Sequence, residues 1–312
     1  MNKTFLVLAI LFVLLIPLIF LIFGNENLIE EKPITEKAIE CNSCEDCTAK
    51  ASVPNSIITL TQDLSSNKTC ILINADNVTF DCKNHKLTGL EMHDACEYEN
   101  GILADTGTAE YINDVTIKNC KIEKYCFGIR FEYSKNSQAL NNNIFGSYYI
   151  GIIAAKAGEN ISIINNKIFD SLHGGILIQE RYIKNLIDGN EISSIYSPGM
   201  DLASYNGNDI ITNNYIHDVS SYGINTKGKN TLISNNIISN ATLKSSYYAD
   251  SYAAISLYYA ENNIIEKNTL KNNNVGIRFA EFSNNNTERN NIFENNIQNI
   301  QFFPDYSSNS SQ

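Results

Sequence analysis

Several residue types are scarce or unevenly placed in this chain of 312 residues. It has no Trp, five Pro and three Met, and none of its eight Cys lies beyond position 126. Lys and Arg number 23 against 34 Asp and Glu, which gives a net charge of -11. A chain with this balance has no basic footprint for phosphate backbones or anionic lipid headgroups. The composition therefore argues against nucleic acid and anionic membrane surfaces as partners.

A short repeat, opened by Gly-Ile or a close variant and closed by Asn-x-Ile, fills most of the chain after residue 127. The openings begin at Gly128, Gly151, Gly175, Gly199, Gly223, Ala254 and Gly276. Subtracting neighbours gives intervals of 23, 24, 24, 24, 31 and 22 residues, a fixed period with one insertion. A period this short leaves no room for a helix and indicates a solenoid.

Within each copy, apolar residues alternate with polar ones in short runs between turn residues. This pattern predicts three very short strands per copy, with Ile176, Ile178, Ile187 and Ile192 facing the interior. Stacked copies would place equivalent strands roughly 4.8 Å apart. We therefore predict an all-β fold, a parallel β-helix of about nine coils with a single strand per sheet in each coil.

The Asn that closes each copy recurs with the same period. An inward-facing Asn can pass amide hydrogen bonds from coil to coil, as in other stacked β-structures. The sequence predicts such an Asn ladder at Asn143, Asn166, Asn190, Asn214, Asn236, Asn268 and Asn291.

The Gly-Ile-x-Leu and Asn-Asn-x-Ile pattern resembles the right-handed parallel β-helix repeat of pectate lyases, NosD-type periplasmic proteins and archaeal surface proteins. The stretch from Ala75 to Gly89 is similar to the first coil of the NosD-like and archaeal surface branch. The resemblance covers residues 55–303 and implies a right-handed solenoid. It implies little about activity, because this fold hosts unrelated functions.

The first 24 residues predict an uncleaved signal anchor, that is, a transmembrane helix. Lys3 precedes an apolar run of 19 residues, Phe5 to Phe23, without a small-residue cleavage site after it. A cleaved signal peptide is the alternative. We expect a single-pass protein whose body is exported, since the acidic flank follows the anchor. Residues 25–50 would form a stalk, 51–303 the β-helix with a cap at 51–69, and 304–312 a polar tail.

The cysteines all fall between positions 41 and 126, which matches disulfides in an exported chain. Cys70 with Cys82 and Cys96 with Cys126 form the predicted pairs, and Cys41, Cys44, Cys47 and Cys120 remain unassigned. A zinc or iron–sulfur site is the alternative, since the first three cysteines are spaced by two residues. We expect no metal and no cofactor.

Asn-x-Ser/Thr sequons mark candidate glycosylation sites in an exported protein. Among the sequons, Asn240, Asn285 and Asn309 are expected to be the accessible ones.

Catalysis on this fold, as the resemblance implies it, would need clustered acidic residues, with Ca²⁺ in the lyases. The motifs expected for glycoside hydrolases and mannuronan epimerases are absent from the sequence. One outward column is predicted two residues after each opening: Arg130, Ile153, Leu177, Asp201, Asn225, Ser256 and Arg278. Asp201 is its only acid. The catalytic candidates are Asp201 and three residues in or beside turns of adjacent coils, Asp170, His173 and Asp188. The alternative is that they are solvated turn residues.

Tyrosines crowd residues 196–259, including the insertion within the longest interval. Tyr combines an apolar ring with a hydrogen-bonding tip, which suits contact with glycans or proteins. The predicted binding residues are Tyr205, Tyr222, Tyr247, Tyr248, Tyr252 and Tyr258. Tyr is also a good strand residue, so a purely structural role is the alternative.

Two functions remain open from the sequence. The first is an exported, membrane-anchored β-helix that binds a carbohydrate or a cell-surface protein without catalysis. The second is a carbohydrate-active enzyme, a polysaccharide lyase or a glycoside hydrolase, that uses carboxylates near Asp170, Asp188 and Asp201.

Overall fold

A computed structural model describes residues 38–89, 96, 99–179, 181–205, 207–242 and 252–303. The predicted anchor (1–24) and polar tail (304–312) lie outside these residues, as do Tyr247, Tyr248 and Asn309. In the described part of the chain, we find no helix with the length and hydrophobicity needed to cross a bilayer.

Three parallel sheets make up the body. The first sheet contains β1 (Ile39–Cys41), β2 (Ser56–Leu60), β5 (Val78–Asp81), β9 (Thr116–Lys118), β12 (Gln138–Leu140), β15 (Ser162–Ile164), β19 (Leu186–Asp188), β22 (Ile210–Thr212), β25 (Leu232–Ser234), β28 (Ile264–Glu266) and β31 (Thr287–Arg289). The second sheet contains β3 (Leu64–Ser66), β6 (Lys86–Gly89), β10 (Lys121–Glu123), β13 (Asn143–Phe145), β16 (Lys167–Phe169), β20 (Glu191–Ile195), β23 (Tyr215–Val219), β26 (Ile237–Ala241), β29 (Thr269–Lys271) and β32 (Ile292–Glu294). The third sheet contains β4 (Ile71–Ile73), β7 (Asn100–Ala104), β8 (Ile112–Asn113), β11 (Phe127–Lys135), β14 (Ile150–Glu159), β17 (Gly174–Ile178), β18 (Tyr182–Ile183), β21 (Met200–Leu202), β24 (Ile224–Thr226), β27 (Ile255–Leu257), β30 (Val275–Phe279) and β33 (Gln298–Phe302).

One strand from each sheet makes a coil, and the chain visits the three sheets in the same order every time. The described residues form about ten such coils, from β2–β3–β4 to β31–β32–β33, where the sequence predicted about nine. Seven of these coils carry the openings counted from the sequence, and the other three end in β4, β7 and β33. The parallel β-helix prediction is otherwise confirmed.

The interior is filled by columns of aliphatic side chains, one from each coil. Ile176 and Ile187 are 1% and 0% exposed, and Ile178 and Ile192 are likewise buried, as predicted. Each such side chain contributes about 1.5–3 kcal/mol on burial. The glycines that open the repeats leave no room for a side chain. A Cβ on Gly175, for example, would lie 2.5 Å from the carbonyl oxygen of Gly199.

The Asn ladder runs through the corner between the first and second sheets. Asn190 donates from Nδ2 to Oδ1 of Asn214 at 2.9 Å, and Asn166 donates to Asn190 at 3.1 Å. The same pattern continues through Asn236, Asn268 and Asn291. The ladder begins at Asn142, which is 1% exposed and donates to Asn166. The prediction that Asn143 belongs to the ladder is wrong. Asn143 is exposed, because the residue that starts strand β13 points outward.

A second, shorter ladder lies at the corner that precedes the first sheet, and it contains an acid. Asn185 donates to Oδ1 of Asp209 from both its backbone N and its Nδ2, each at 2.8 Å. In the next coil the position is taken by Thr231, and Asn263 follows. Oδ2 of Asp209 and Oγ1 of Thr231 are both buried without a hydrogen-bond partner.

A short helix and two disulfides that involve it reinforce the N-terminal end. Helix α1 (Cys44–Lys50) begins after Ser43, whose Oγ accepts a hydrogen bond from Asp46 N at 3.1 Å. Strand β1 pairs with β2, so residues 38–50 belong to the body and not to the stalk that the sequence predicted. A capping element is needed here because a terminal coil has coil-to-coil support on one side only.

All eight cysteines are paired in disulfide bonds. The bonds join Cys41 to Cys47, Cys44 to Cys70, Cys82 to Cys120 and Cys96 to Cys126. The predicted bond between Cys96 and Cys126 is present, but the predicted bond between Cys70 and Cys82 is wrong. Cys70 instead bonds to Cys44 at the start of α1. Cys82 bonds to Cys120, which holds the equivalent position one coil further on.

Candidate functional site

A groove of about 570 Å³ lies on the outer face of the third sheet. Its volume falls in the range of ordinary ligand sites. It is lined by Ile150, His173, Gly174, Ile176, Leu177, Tyr196, Ser197, Pro198, Asp201, Ser220, Ser221, Tyr222, Asn225, Tyr252, Ser256, Tyr258, Arg278, Ala280, Glu281 and Phe303.

The floor of the groove is the outward column that the repeat predicted. The strand registers pair Leu177 with Asp201, Asp201 with Asn225, Asn225 with Ser256, and Ser256 with Arg278. Side chains alternate along each strand, so these residues face outward while their neighbours fill the core. The floor thus changes from apolar to anionic, neutral polar and cationic along the solenoid.

The walls come from the segments on either side of the strands. Tyr196, Tyr222 and Tyr252 precede strands of the third sheet, and Tyr258 and Phe303 follow them. The Arg278 guanidinium carbon lies 4.1 Å from the centre of the Phe303 ring, a cation–π contact that joins floor to wall. Tyr196 is 58% exposed and therefore offers its ring to a ligand.

Asp201 is the acid at the centre of the floor. Burial raises the pKa of its carboxyl, while a hydrogen bond from Asn225 Nδ2 at 2.9 Å and the charge of Lys227 act in the opposite direction. The Lys227 ammonium lies 5.8 Å from the ring centre of Tyr205 and 5.9 Å from that of Tyr258. These contacts make one polar and aromatic cluster at the groove.

The four catalytic candidates do not come together. His173 and Asp201 both line the groove, in adjacent coils. Asp188 lies in β19 of the first sheet, where it accepts a hydrogen bond from Asn213 at 2.8 Å. Asp170 follows β16 of the second sheet and occupies a left-handed turn with φ 60°. Because the three sheets face different directions, the structure does not form the predicted acidic cluster.

Of the predicted binding tyrosines, three line the groove: Tyr222, Tyr252 and Tyr258. Tyr205 is 41% exposed beside it, in contact with Lys227. Tyr247 and Tyr248 lie outside the described residues. Asn240 is half-buried and donates to Asp218 at 2.9 Å, whereas Asn285 is exposed in a corner turn.

Sequence reasoning missed the wall residues Glu281, Phe303, Pro198 and Ser221. Phe303 directly follows β33, and Glu281 lies two residues after the end of β30; this short distance from the floor column was the signal that the sequence offered. Glu281 lies three coils beyond Asp201, or about 14 Å along the axis. That separation exceeds the roughly 5–9.5 Å of paired catalytic carboxylates.

Solved structures similar to this chain include alginate-modifying proteins. An alginate lyase from Paenibacillus sp. str. FPU-7 superposes with a TM-score of 0.67 at 13% identity, covering 85% of this chain and 98% of that one. The A-module of a mannuronan C-5 epimerase from Azotobacter vinelandii gives 0.54 at 13% identity, covering 86% and 89%. A periplasmic alginate epimerase gives 0.53 at 11% identity, covering 85% and 84%. At these identities the likeness shows the fold alone.

Sequence comparison supplies the family. No curated protein matches this chain. A family model described as the right-handed beta helix region matches residues 37–210 and 150–311, which together span nearly all of the described body. The NosD-like and archaeal surface branch stays a prediction. On this match and the ten-coil architecture, the chain belongs to the right-handed β-helix family.

Proposed function

We propose that this protein binds a carbohydrate in the groove on its third sheet. The observation that carries the proposal is the lining itself, in which tyrosine rings stand beside Asp201, Asn225, Ser256 and Arg278. Sugar rings present apolar faces and hydroxyl edges, and this lining offers flat rings together with donors and acceptors. The polysaccharide-modifying names of the similar structures support the same ligand class.

Export to the cell surface, with an anchor at residues 1–24, is part of the proposal. It is supported by the four disulfides, since disulfides persist in oxidising compartments and are rare in the cytosol. A cell-surface protein is the alternative partner, because tyrosine-rich surfaces also bind proteins.

A carbohydrate-active enzyme is the second candidate function. Asp201 favours it, since a carboxyl whose pKa is raised by burial in a cleft is suited to general acid catalysis. The wide separation of Asp201 from Glu281 weighs against a glycosidase that uses two carboxylates.

The test is a binding and cleavage assay on the full chain in detergent micelles, with alginate, polygalacturonate, xylan and chitosan as probes. We expect retention of at least one polysaccharide, and weaker retention after Tyr196→Ala, because the variant removes an exposed ring from the groove wall. Tyr215→Ala is the matched control, since Tyr215 is 43% exposed on the second sheet.

Three outcomes separate the candidates. Retention without new reducing or unsaturated ends supports binding alone. Cleavage that Asp201→Asn abolishes supports the enzyme. If no probe is retained, or if Tyr196→Ala and Tyr215→Ala behave alike, the groove is not a carbohydrate site.

A further inference from the structure

Three side chains of metal-binding types converge where strand β7 pairs with β11. Cys96, Glu99 and Cys126 place two sulfurs and a carboxylate oxygen within 4.8 Å of one another. Strand pairing fixes two of the three, because Asn100 is the register partner of Phe127, and Phe127 N donates to Glu99 O at 3.2 Å. Glu99 and Cys126 therefore lie side by side in adjacent coils. Cys96 precedes Glu99 by three residues and is joined to Cys126 by a disulfide.

The disulfide gives the Glu99 carboxylate no favourable partner. Glu99 Oε2 lies 2.9 Å from Cys126 Sγ, and the carboxylate forms no ion pair with the residues that the structure describes. A sulfur within a disulfide carries no hydrogen, so it cannot donate to this oxygen. Glu99 is half-buried and Cys126 is 0% exposed, so part of the cost of removing the charge from water stays uncompensated. A cation bound at this point would compensate for it.

After reduction, the same atoms make a ligand set for zinc. Two thiolates and one carboxylate are ligand types that zinc accepts, whereas Mg²⁺ and Ca²⁺ take oxygen ligands. In a tetrahedral site with Zn–S distances of about 2.3 Å, the two sulfurs would lie roughly 3.8 Å apart. That separation is smaller than the 4.8 Å limit within which all three ligand atoms lie. Three protein ligands leave the fourth position open for water.

The surroundings shield one side of this site and leave the other accessible. Cys126 packs with Phe127 and with aliphatic side chains of β14 in a small buried cluster. An apolar shell of this kind limits the access of solvent to a bound metal. Cys96 is half-buried, whereas Cys82 and Cys120 are both buried. A small thiol can therefore reach the bond at Cys96 more readily than the bond between Cys82 and Cys120.

We propose that Cys96, Glu99 and Cys126 form a redox-controlled zinc site, which the disulfide closes and reduction opens. Two thiol molecules supply two electrons and two protons, leave as their own disulfide, and convert the bond into two cysteine thiols. Zinc then displaces both thiol protons and binds the two thiolates and the carboxylate. The metal replaces the disulfide as the link between Cys96 and β11. This inference is independent of the ligand that the groove binds.

The test is a redox titration of the full chain in detergent micelles, in glutathione buffers with and without buffered free Zn²⁺. After acid quenching and removal of the metal, alkylation and mass spectrometry report each disulfide separately. Because zinc binds only the reduced form, it should lower the ratio of squared thiol to disulfide concentration that opens the bond between Cys96 and Cys126. The expected decrease is about tenfold when free Zn²⁺ is at about ten times its dissociation constant. The bond between Cys82 and Cys120 is the internal control and should not respond.

Glu99→Gln removes the charged ligand and keeps the size of the side chain. We expect this variant to lose most of the zinc-dependent shift, because the dissociation constant of zinc should rise at least about tenfold. Replacing Cys82 and Cys120 together by Ser should leave the shift intact. Three results would overturn the inference: no zinc-dependent shift at the bond between Cys96 and Cys126, an equal shift at the control bond, or an undiminished shift in Glu99→Gln.

Discussion

At the scale of single residues, the abundance of Asn has two separate structural causes. Buried Asn side chains form the ladders, and exposed Asn residues occupy left-handed corners. Asn160, Asn230 and Asn262 have φ of 58°, 54° and 57° at equivalent corners of three coils. A non-Gly residue tolerates this region best when it is Asn or Asp. Asn therefore serves both inside the coils and at their outer corners.

The ladder can be tested at its centre. Asn190 is 1% exposed and donates to Ile163 O at 2.8 Å as well as to Asn214. Asn190→Ala should lower the free energy of unfolding by about 2–4 kcal/mol, because it leaves several buried backbone and amide groups unpaired. Chemical denaturation would measure this loss.

Asn143→Ala is the control for that measurement. Asn143 is exposed and begins a strand, so its replacement should change the stability by less than about 0.5 kcal/mol. Equal losses in the two variants would show that the buried ladder adds nothing beyond ordinary surface contacts.

At the scale of one element, the second ladder contains a buried acid, Asp209, among Asn and Thr side chains. Asp209 is 1% exposed, and burial raises the pKa of its carboxyl to about 6 against the hydrogen bonds from Asn185. The folded protein therefore binds a proton more tightly than the unfolded chain does. Stability from this group is fully present below the ordinary pKa of 3.8 and is lost as the pH rises to about 6.

Asp209→Asn should remove this pH dependence. The new amide would keep the acceptor for Asn185 and bring a donor toward the unpaired Thr231 oxygen. We expect the variant to be more stable than the natural chain by about 2–3 kcal/mol at pH 7, with the difference disappearing near pH 4. Thermal unfolding at several pH values measures it; a constant difference across that range would contradict the assignment.

At the scale of the whole molecule, stability is shared between neighbouring coils and not across one central core. The first coil depends on the cap, since Cys44 ties α1 to Cys70 at the start of β4. The bond between Cys82 and Cys120 instead joins the second and third coils. Loss of one of these disulfides should therefore destabilise mainly the coils that it joins.

Replacing Cys44 and Cys70 together by Ser tests this expectation. Amide hydrogen exchange should accelerate in β2, β3 and β4, while β19 to β24 keep their protection, because they are several coils away. In the matched variant, with Ser at Cys82 and Cys120, amide exchange should instead accelerate in the second and third coils, which that disulfide joins. Uniform loss of protection in either variant would show that the solenoid unfolds as one unit.

The sequence determined what depends on periodicity. The spacing of the glycines predicted stacked coils, and the alternation around Ile176 and Ile178 assigned the inner and outer faces. Because strand periodicity is local, even the floor column from Leu177 to Arg278 followed from counting residues. The ladder was misplaced only at Asn143, where three consecutive Asn residues leave the register ambiguous.

Only the tertiary structure decided which side chains meet across the coil. Cys70 bonds to Cys44 and not to Cys82, because the helix folds back over the first coil. Asp170, Asp188 and Asp201 separate onto three faces, and Phe303 meets Arg278 at the groove. These relations depend on the shape of the corners and of the capping segment. The repeat fixes neighbours along the axis, but lateral proximity within a coil arises only when the three sheets close around the core.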